Sequence, residues 1–127
     1  MFQTVLFPID HSRQAAETAA TALKLAQQHD SHLVVLSVVE ADPGAMHDPA
    51  EVAQLLEQAR SSFLEAGVPT QVIERQGNPA FVICDVADEI NADLIVMGTR
   101  GLTIQADAPS TAARVIQLAP CPVLVVP

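Results

Sequence analysis

Nearly continuous apolar blocks alternate along this chain with stretches whose apolar residues recur at helical spacing. Four blocks, residues 4–9, 33–39, 93–97 and 123–126, are almost entirely apolar. Strands covered by helices on both faces of a parallel sheet have this character. A fifth block, residues 70–75, is polar at both ends and reads as an edge strand with one side in water.

Four helices are expected between these strands. Ser12 caps the first, whose inward stripe reads Ala16, Ala19, Leu23, Ala26. The second has the strongest start signal, with Asp48 as N-cap, Pro49 at the first helical position and Glu51 completing a capping box. Its stripe Val52, Leu55, Leu56, Ala59, Phe63 runs until Gly67 stops it, with Pro69 beyond. The third follows Gly77-Asn78-Pro79 and buries Ile83, Ala87 and Ile90, and the fourth covers about residues 110–119 before Pro120-Cys121-Pro122. Strand and helix therefore alternate from end to end, with no repeat and no linker, as one domain over residues 1–127. Right-handed crossovers turn that order into a doubly wound parallel sheet with helices on both faces.

Composition narrows the chemistry. The 127 residues carry a formal net charge of −9 with six basic residues, and Lys24 is the one lysine. An acid excess of this size disfavours nucleic acid and anionic membrane surfaces as partners, because both require a cationic patch. Lys24 lies in an alanine-rich helical stretch without glycine, so a Gly-rich P-loop ending in lysine cannot be written. The apolar runs fall short of the roughly 18 residues of a membrane span, and no signal pattern opens the chain. Cys84 and Cys121 have no metal-ligand spacing and fit reduced thiols, so a cytoplasmic location is expected.

In doubly wound sheets ligands bind beyond the carboxyl ends of the strands, where the winding reverses. Two segments at such ends are chemically unusual, Pro8-Ile9-Asp10-His11-Ser12 and Met97-Gly98-Thr99-Arg100-Gly101. Together with Gly77-Asn78-Pro79 and Ala119-Pro120-Cys121-Pro122-Val123-Leu124-Val125-Val126, they resemble the universal stress protein family, in order and over the whole chain. The segment between the second strand and second helix, residues 41–47, looks short for that family.

The resemblance implies a Rossmann-like sheet of the adenine nucleotide alpha hydrolase-like type, with five strands in order 3-2-1-4-5. It also implies a role in the stress response and a homodimer paired through Val123, Leu124, Val125 and Val126. An uncovered apolar edge independently favours such pairing, because it satisfies the outward backbone groups. The alternative is an edge covered by the chain's own C-terminus.

Members that bind ATP share the pattern G-x-x-G, nine residues, then G-Ser/Thr. Gly98 and Gly101 supply its first half, where amides must approach phosphate oxygens and positive φ is expected. The second half falls on Pro109-Ser110 after seven residues, 102–108. Pro109 lacks an N–H, and Asp107 places a carboxylate near the phosphate path.

Carried over residue by residue, the resemblance gives a nucleotide site of Pro8, Ile9, Asp10, Val38, Met97, Gly98, Arg100, Gly101, Ser110 and Thr111. Pro8, Ile9 and Val38 would floor the adenine, and Met97 and Gly98 would follow the path from base to phosphate. Arg100 would meet phosphate, while Ser110 and Thr111 would offer hydroxyls and amides at a helix start. Asp10 would bind the nucleoside or help hold Mg²⁺ accompanying ATP. No catalytic residue is assigned, and hydrolysis would be slow at most. Two functions follow: an ATP-binding module of the stress response, or a nucleotide-free dimer acting through protein contacts because its loop is shortened.

The remaining polar residues read as structure. Asp10 and Ser12 can cap a helix, and Gly98 and Gly101 can turn the chain. His11 reads as a loop residue, and His29 and His32 straddle a helix end and a strand start, so they share no helical face. Asp88 and Glu89 read as a solvated face.

Overall fold

The computed structural model describes residues 2–9, 15–39, 49–99 and 111–127. Within them the elements alternate as β1 Thr4–Pro8, α1 Ala15–His29, β2 His32–Val39, α2 Pro49–Glu65, β3 Thr70–Gln76, α3 Pro79–Glu89, β4 Leu94–Gly98, α4 Thr111–Leu118 and β5 Val123–Val126. The strands form one sheet in the order β3-β2-β1-β4-β5, with every neighbouring pair parallel, as the apolar blocks and the resemblance imply. The expected caps Ser12 and Asp48 and the short segment 41–47 lie outside the described residues.

β4 begins one residue later than its apolar block because Asp93 is engaged elsewhere. Its carboxylate accepts the Thr4 N–H at 2.9 Å, and its own N–H donates to the Thr4 carbonyl at 2.8 Å. That exchange pins the start of β4 to the start of β1.

Side chains alternate across the sheet and supply two cores. Val5, Phe7, Leu33, Val35, Leu94 and Val96 pack under α1 and α2, against Ala22, Ala26, Val52, Leu56 and Phe63. Leu6, Val34, Leu36, Ile95 and Met97 pack under α3 and α4, against Ile83, Ala87, Ala112 and Val115. The central strands are therefore buried on both faces, which is why their sequence does not alternate. β3 is half-buried to exposed and forms one edge of the sheet, as its polar ends indicate.

α1 turns a different row inward from the one its alanines suggest. Thr18, Ala22 and Ala26 are buried, Ala19 and Leu23 are partly so, and Ala16 is exposed. The buried row runs at i, i+4, i+8, and a threonine in it was hidden by the preference for apolar residues. α2 follows its expected stripe, and Phe63 meets Phe7 edge to face at 6.1 Å between ring centroids.

The helix ends have a common form. After α2 the Gly67 N–H reaches the Leu64 carbonyl at 3.0 Å and the Val68 N–H reaches Phe63 at 3.0 Å, with Gly67 at φ +85°. Asp30 after α1 and Asn91 after α3 hold the same left-handed position at φ 52°. Asp and Asn tolerate it because their short polar side chains bond locally. Asn78 caps α3, its side chain accepting the Phe81 N–H at 3.4 Å, and Pro79 is the first helical residue.

A Cβ at Gly67 would touch nothing within 4 Å, so alanine there meets a conformational penalty alone. Gly67→Ala is expected to destabilise the protein by about 1 kcal/mol, with Gly67→Asn closer to wild type, as read by urea denaturation. Equal stability of all three proteins would contradict the assignment of a left-handed helix end.

Candidate functional site

From the central strand β1 the chain winds first to β2 and β3 and then, on the other side, to β4 and β5, so the winding reverses between β1 and β4. At that place the sheet opens. β1 pairs β4 at Val5–Leu94 and Leu6–Ile95 and no further. Its pairing with β2 continues to Pro8–Leu36, while β4 stays paired with β5 to Gly98–Val126. Past the strand ends the two chains keep apart: the Ile9 N–H donates to the Leu36 carbonyl at 2.8 Å, and the Thr99 N–H donates to the Val126 carbonyl at 3.2 Å.

Backbone alternation explains the opening. In β1 the Thr4 N–H and C=O both engage Asp93 on the β4 side, and Ile9 turns its N–H to β2. Leu6 and Pro8 therefore face β4, and at Pro8 the donor that would extend the ladder does not exist. Ile95 and Thr99 donate toward β5, so the Gly98 backbone groups face β1 across the gap.

Several of the expected residues come together around this crevice. Val38 and Met97 are both buried in the α3–α4 core, in one cluster with Ala80 at the start of α3 and Ala112 in the first turn of α4. Thr111, half-buried, opens α4 beside Ala112. Pro8 is half-buried at the mouth of the gap. Ile9 differs: its side chain packs with the α1–α2 core, on the face opposite Val38. A flat ring resting on Val38 would meet Ile9 through backbone alone. Asp10, Arg100, Gly101 and Ser110 lie outside the described residues, as do His11, Asp107 and Pro109.

Gly98 has a structural reason to be glycine that the sequence concealed. It is not among the described glycines with positive φ, which are Gly67 and Gly77. A Cβ there would instead stand 3.0 Å from the Thr18 hydroxyl of α1. Thr18, 3% exposed, is the residue near the site that motif reading missed, and its one signal is its place four residues before Ala22.

Several other polar residues that the sequence singles out lie away from the crevice. The His29 ring packs edge-on against Phe2 at 5.2 Å, and the backbone N–H of His32, at the start of β2, donates to the Gln3 carbonyl at 2.7 Å. Glu89 is not merely solvated, since it pairs with Arg75 at 3.2 Å on the surface, an interaction worth about 0–1 kcal/mol. Among the described residues no three His, Cys, Asp or Glu side chains are grouped to hold a metal ion, and no helix is long and apolar enough to cross a membrane.

Cys84 is buried and Cys121 half-buried, and both are free. Burial pushes both thiols up, with Asp85 adding at Cys84, and with Cys84 and then Asp93 adding at Cys121. Raised values favour the neutral thiol in the folded state, so this stabilisation is fully present below the ordinary thiol range and is lost as pH rises through the folded-state values. Urea melts should show wild type losing stability relative to a Cys84→Ala/Cys121→Ala variant as pH passes above that range. A constant difference between the two proteins across it would contradict the assignment.

Comparison with known proteins adds a family to this geometry. A family model described as the universal stress protein family matches residues 1–127. The chain is similar to universal stress protein Sll1654 of Synechocystis sp., with 52% identity over all of this chain and 87% of that protein. Among solved structures it superposes on a universal stress protein in complex with cAMP, with a TM-score of 0.81, 23% identity and coverage of 99% of this chain and 97% of the other. It also superposes on the universal stress protein from Archaeoglobus fulgidus in complex with dAMP, with a TM-score of 0.73, 23% identity and coverage of 100% and 98%.

Proposed function

The chain belongs to the universal stress protein family, and from that premise we propose that it is an adenine-nucleotide-binding module of the stress response, acting in the cytoplasm. The observation that carries the reading is the gap between the carboxyl ends of β1 and β4, faced by the Gly98 backbone, with Val38 of β2 and Met97 of β4 in one apolar cluster on the α3–α4 face. An apolar floor suits a purine, and a backbone facing the gap suits the oxygens of ribose or phosphate. Two proteins of the same fold have been solved with cAMP and with dAMP, which supports adenine as the base.

ATP with Mg²⁺ is the fullest ligand in this reading. The described lining, Pro8, Ile9, Val38, Met97, Gly98 and Thr111, contains no carboxylate. A magnesium ion would therefore arrive on the phosphates and rest on Asp10, with Arg100, Gly101 and Ser110 completing the phosphate contacts. Bound there, it would offset the charge of the phosphates against an acidic protein. None of the described lining residues is a base for water, so the role assigned is binding, with hydrolysis at most slow and incidental.

The module is read as a homodimer through β5. That strand lies at the edge of the sheet, with Leu124 exposed, and Ile116 and Leu118 of α4 are exposed as well. The Pro122 and Val126 carbonyls point to β4, so the backbone groups of Val123 and Val125 face outward, free to pair with a second copy.

Titration calorimetry with ATP and Mg²⁺ is expected to give saturable binding that weakens without the metal and is abolished by Gly101→Leu. Absence of heat and of thermal shift at millimolar nucleotide would remove the proposal. Val125→Pro deletes one outward N–H and leaves the β4 ladder intact. Analytical ultracentrifugation should find wild type dimeric and this variant monomeric, and a variant that remains dimeric would move the interface elsewhere.

A further inference from the structure

The end of β4 is set by a contact that no phosphate motif contains. Gly98 does not use the conformational freedom of glycine. The absence of its side chain is required instead by α1, because a Cβ would stand 3.0 Å from Thr18 Oγ1, tighter than ordinary van der Waals contact. The next nearest atom to such a Cβ is the Val126 carbonyl oxygen at 3.8 Å, an ordinary contact. Among the described residues, therefore, the pressure comes from Thr18.

Neither partner can easily move away. Thr18 is 3% exposed and belongs to the same row as Ala22 and Ala26, which are buried in the α1–α2 core. Small side chains bring the helix close to the sheet along that row, and close packing resists even small displacements. Within the sheet Gly98 is held by its pairing with Val126, and the next residue by the Thr99 N–H bond to the Val126 carbonyl. Helix α1 on one face and strand β5 within the sheet thus both hold the last residue of β4, at the point where its backbone faces the β1 gap.

We infer that Thr18 is a positioning residue for the nucleotide site: its hydroxyl, seated against Gly98, fixes the height of the Gly98 backbone and the direction in which the chain leaves β4. The inference rests on the reading of the crevice as that site, and it gives the first glycine of the pattern a packing role. Glycine at position 98 is needed so that α1 can reach the strand. An amide is all that the ligand requires there, and alanine has the same amide.

A two-residue cycle separates these roles. Gly98→Ala introduces a methyl group against Thr18 and should weaken ATP binding about tenfold, as expected for overpacking between directly touching residues. Thr18→Ala alone leaves Gly98 unseated and should weaken binding about threefold. In the Thr18→Ala/Gly98→Ala double variant the methyl group introduced on β4 occupies the space vacated by the hydroxyl, so binding should return to within about threefold of wild type. Thr18→Ser, which keeps the hydroxyl, should bind as wild type does.

Loss of binding in Gly98→Ala with no recovery in the double variant would overturn the inference, since the ligand itself would then exclude a Cβ. Wild-type binding by Gly98→Ala would overturn it too. Should wild type bind no nucleotide, the proposed function fails by itself, and thermal denaturation of the same four variants decides the contact. A lowered midpoint for Gly98→Ala that Thr18→Ala restores upholds the Thr18–Gly98 contact, and a midpoint that is not restored refutes it.

Discussion

The missing N–H of one proline governs the functional end of this molecule. β1 is the central strand and needs partners on both sides, and toward β2 it has them along its whole length. Toward β4 its pairing stops after Leu6, and the next backbone group facing that way belongs to Pro8. The loss of a ladder bond at this position leaves no buried donor without a partner, because proline has none to leave. Ile9 then bonds to β2 and Thr99 to β5, which carries the two chains apart. A crevice at the reversal of winding is thus a consequence of one residue's chemistry combined with the strand order.

The two cores back that crevice, the proposed site, from both faces of the sheet. Val38 and Met97 belong to the core under α3 and α4, and the first turn of α4 is anchored there through Ala112. The core under α1 and α2 acts from the other face, through Thr18 against Gly98. The molecule's charge fits a site built in this way. With a net charge of −9, and with Arg60 and Arg75 paired to Glu57 and Glu89 on the surface, the proposed anion binding would draw on backbone groups, Arg100 and an accompanying cation.

Much of this architecture was legible in the sequence. Strands covered on both faces need unbroken apolar runs, and those runs located β1, β2, β4 and β5, while the polar ends of residues 70–75 marked β3 as an edge. Gly67 announced a helix end through its left-handed backbone position, and Gly77-Asn78-Pro79 marked a helix start. What stayed hidden depends on three-dimensional contact. The inward row of α1 contains Thr18, which an apolar stripe passes over, and Gly98 reads as a phosphate glycine until the helix behind it is seen. Ile9 and Val38 are both placed under the adenine by the family resemblance, yet the register sends their side chains to opposite faces.

Ligand bound in the gap between β1 and β4 should be visible in amide hydrogen exchange measured with and without Mg²⁺–ATP. Exchange is expected to slow at Ile9, at Gly98 and Thr99, and at the first turn of α4, with β3 and α2 unchanged. Protection confined to β3 or α2, or none at any of these amides under saturating nucleotide, would contradict it.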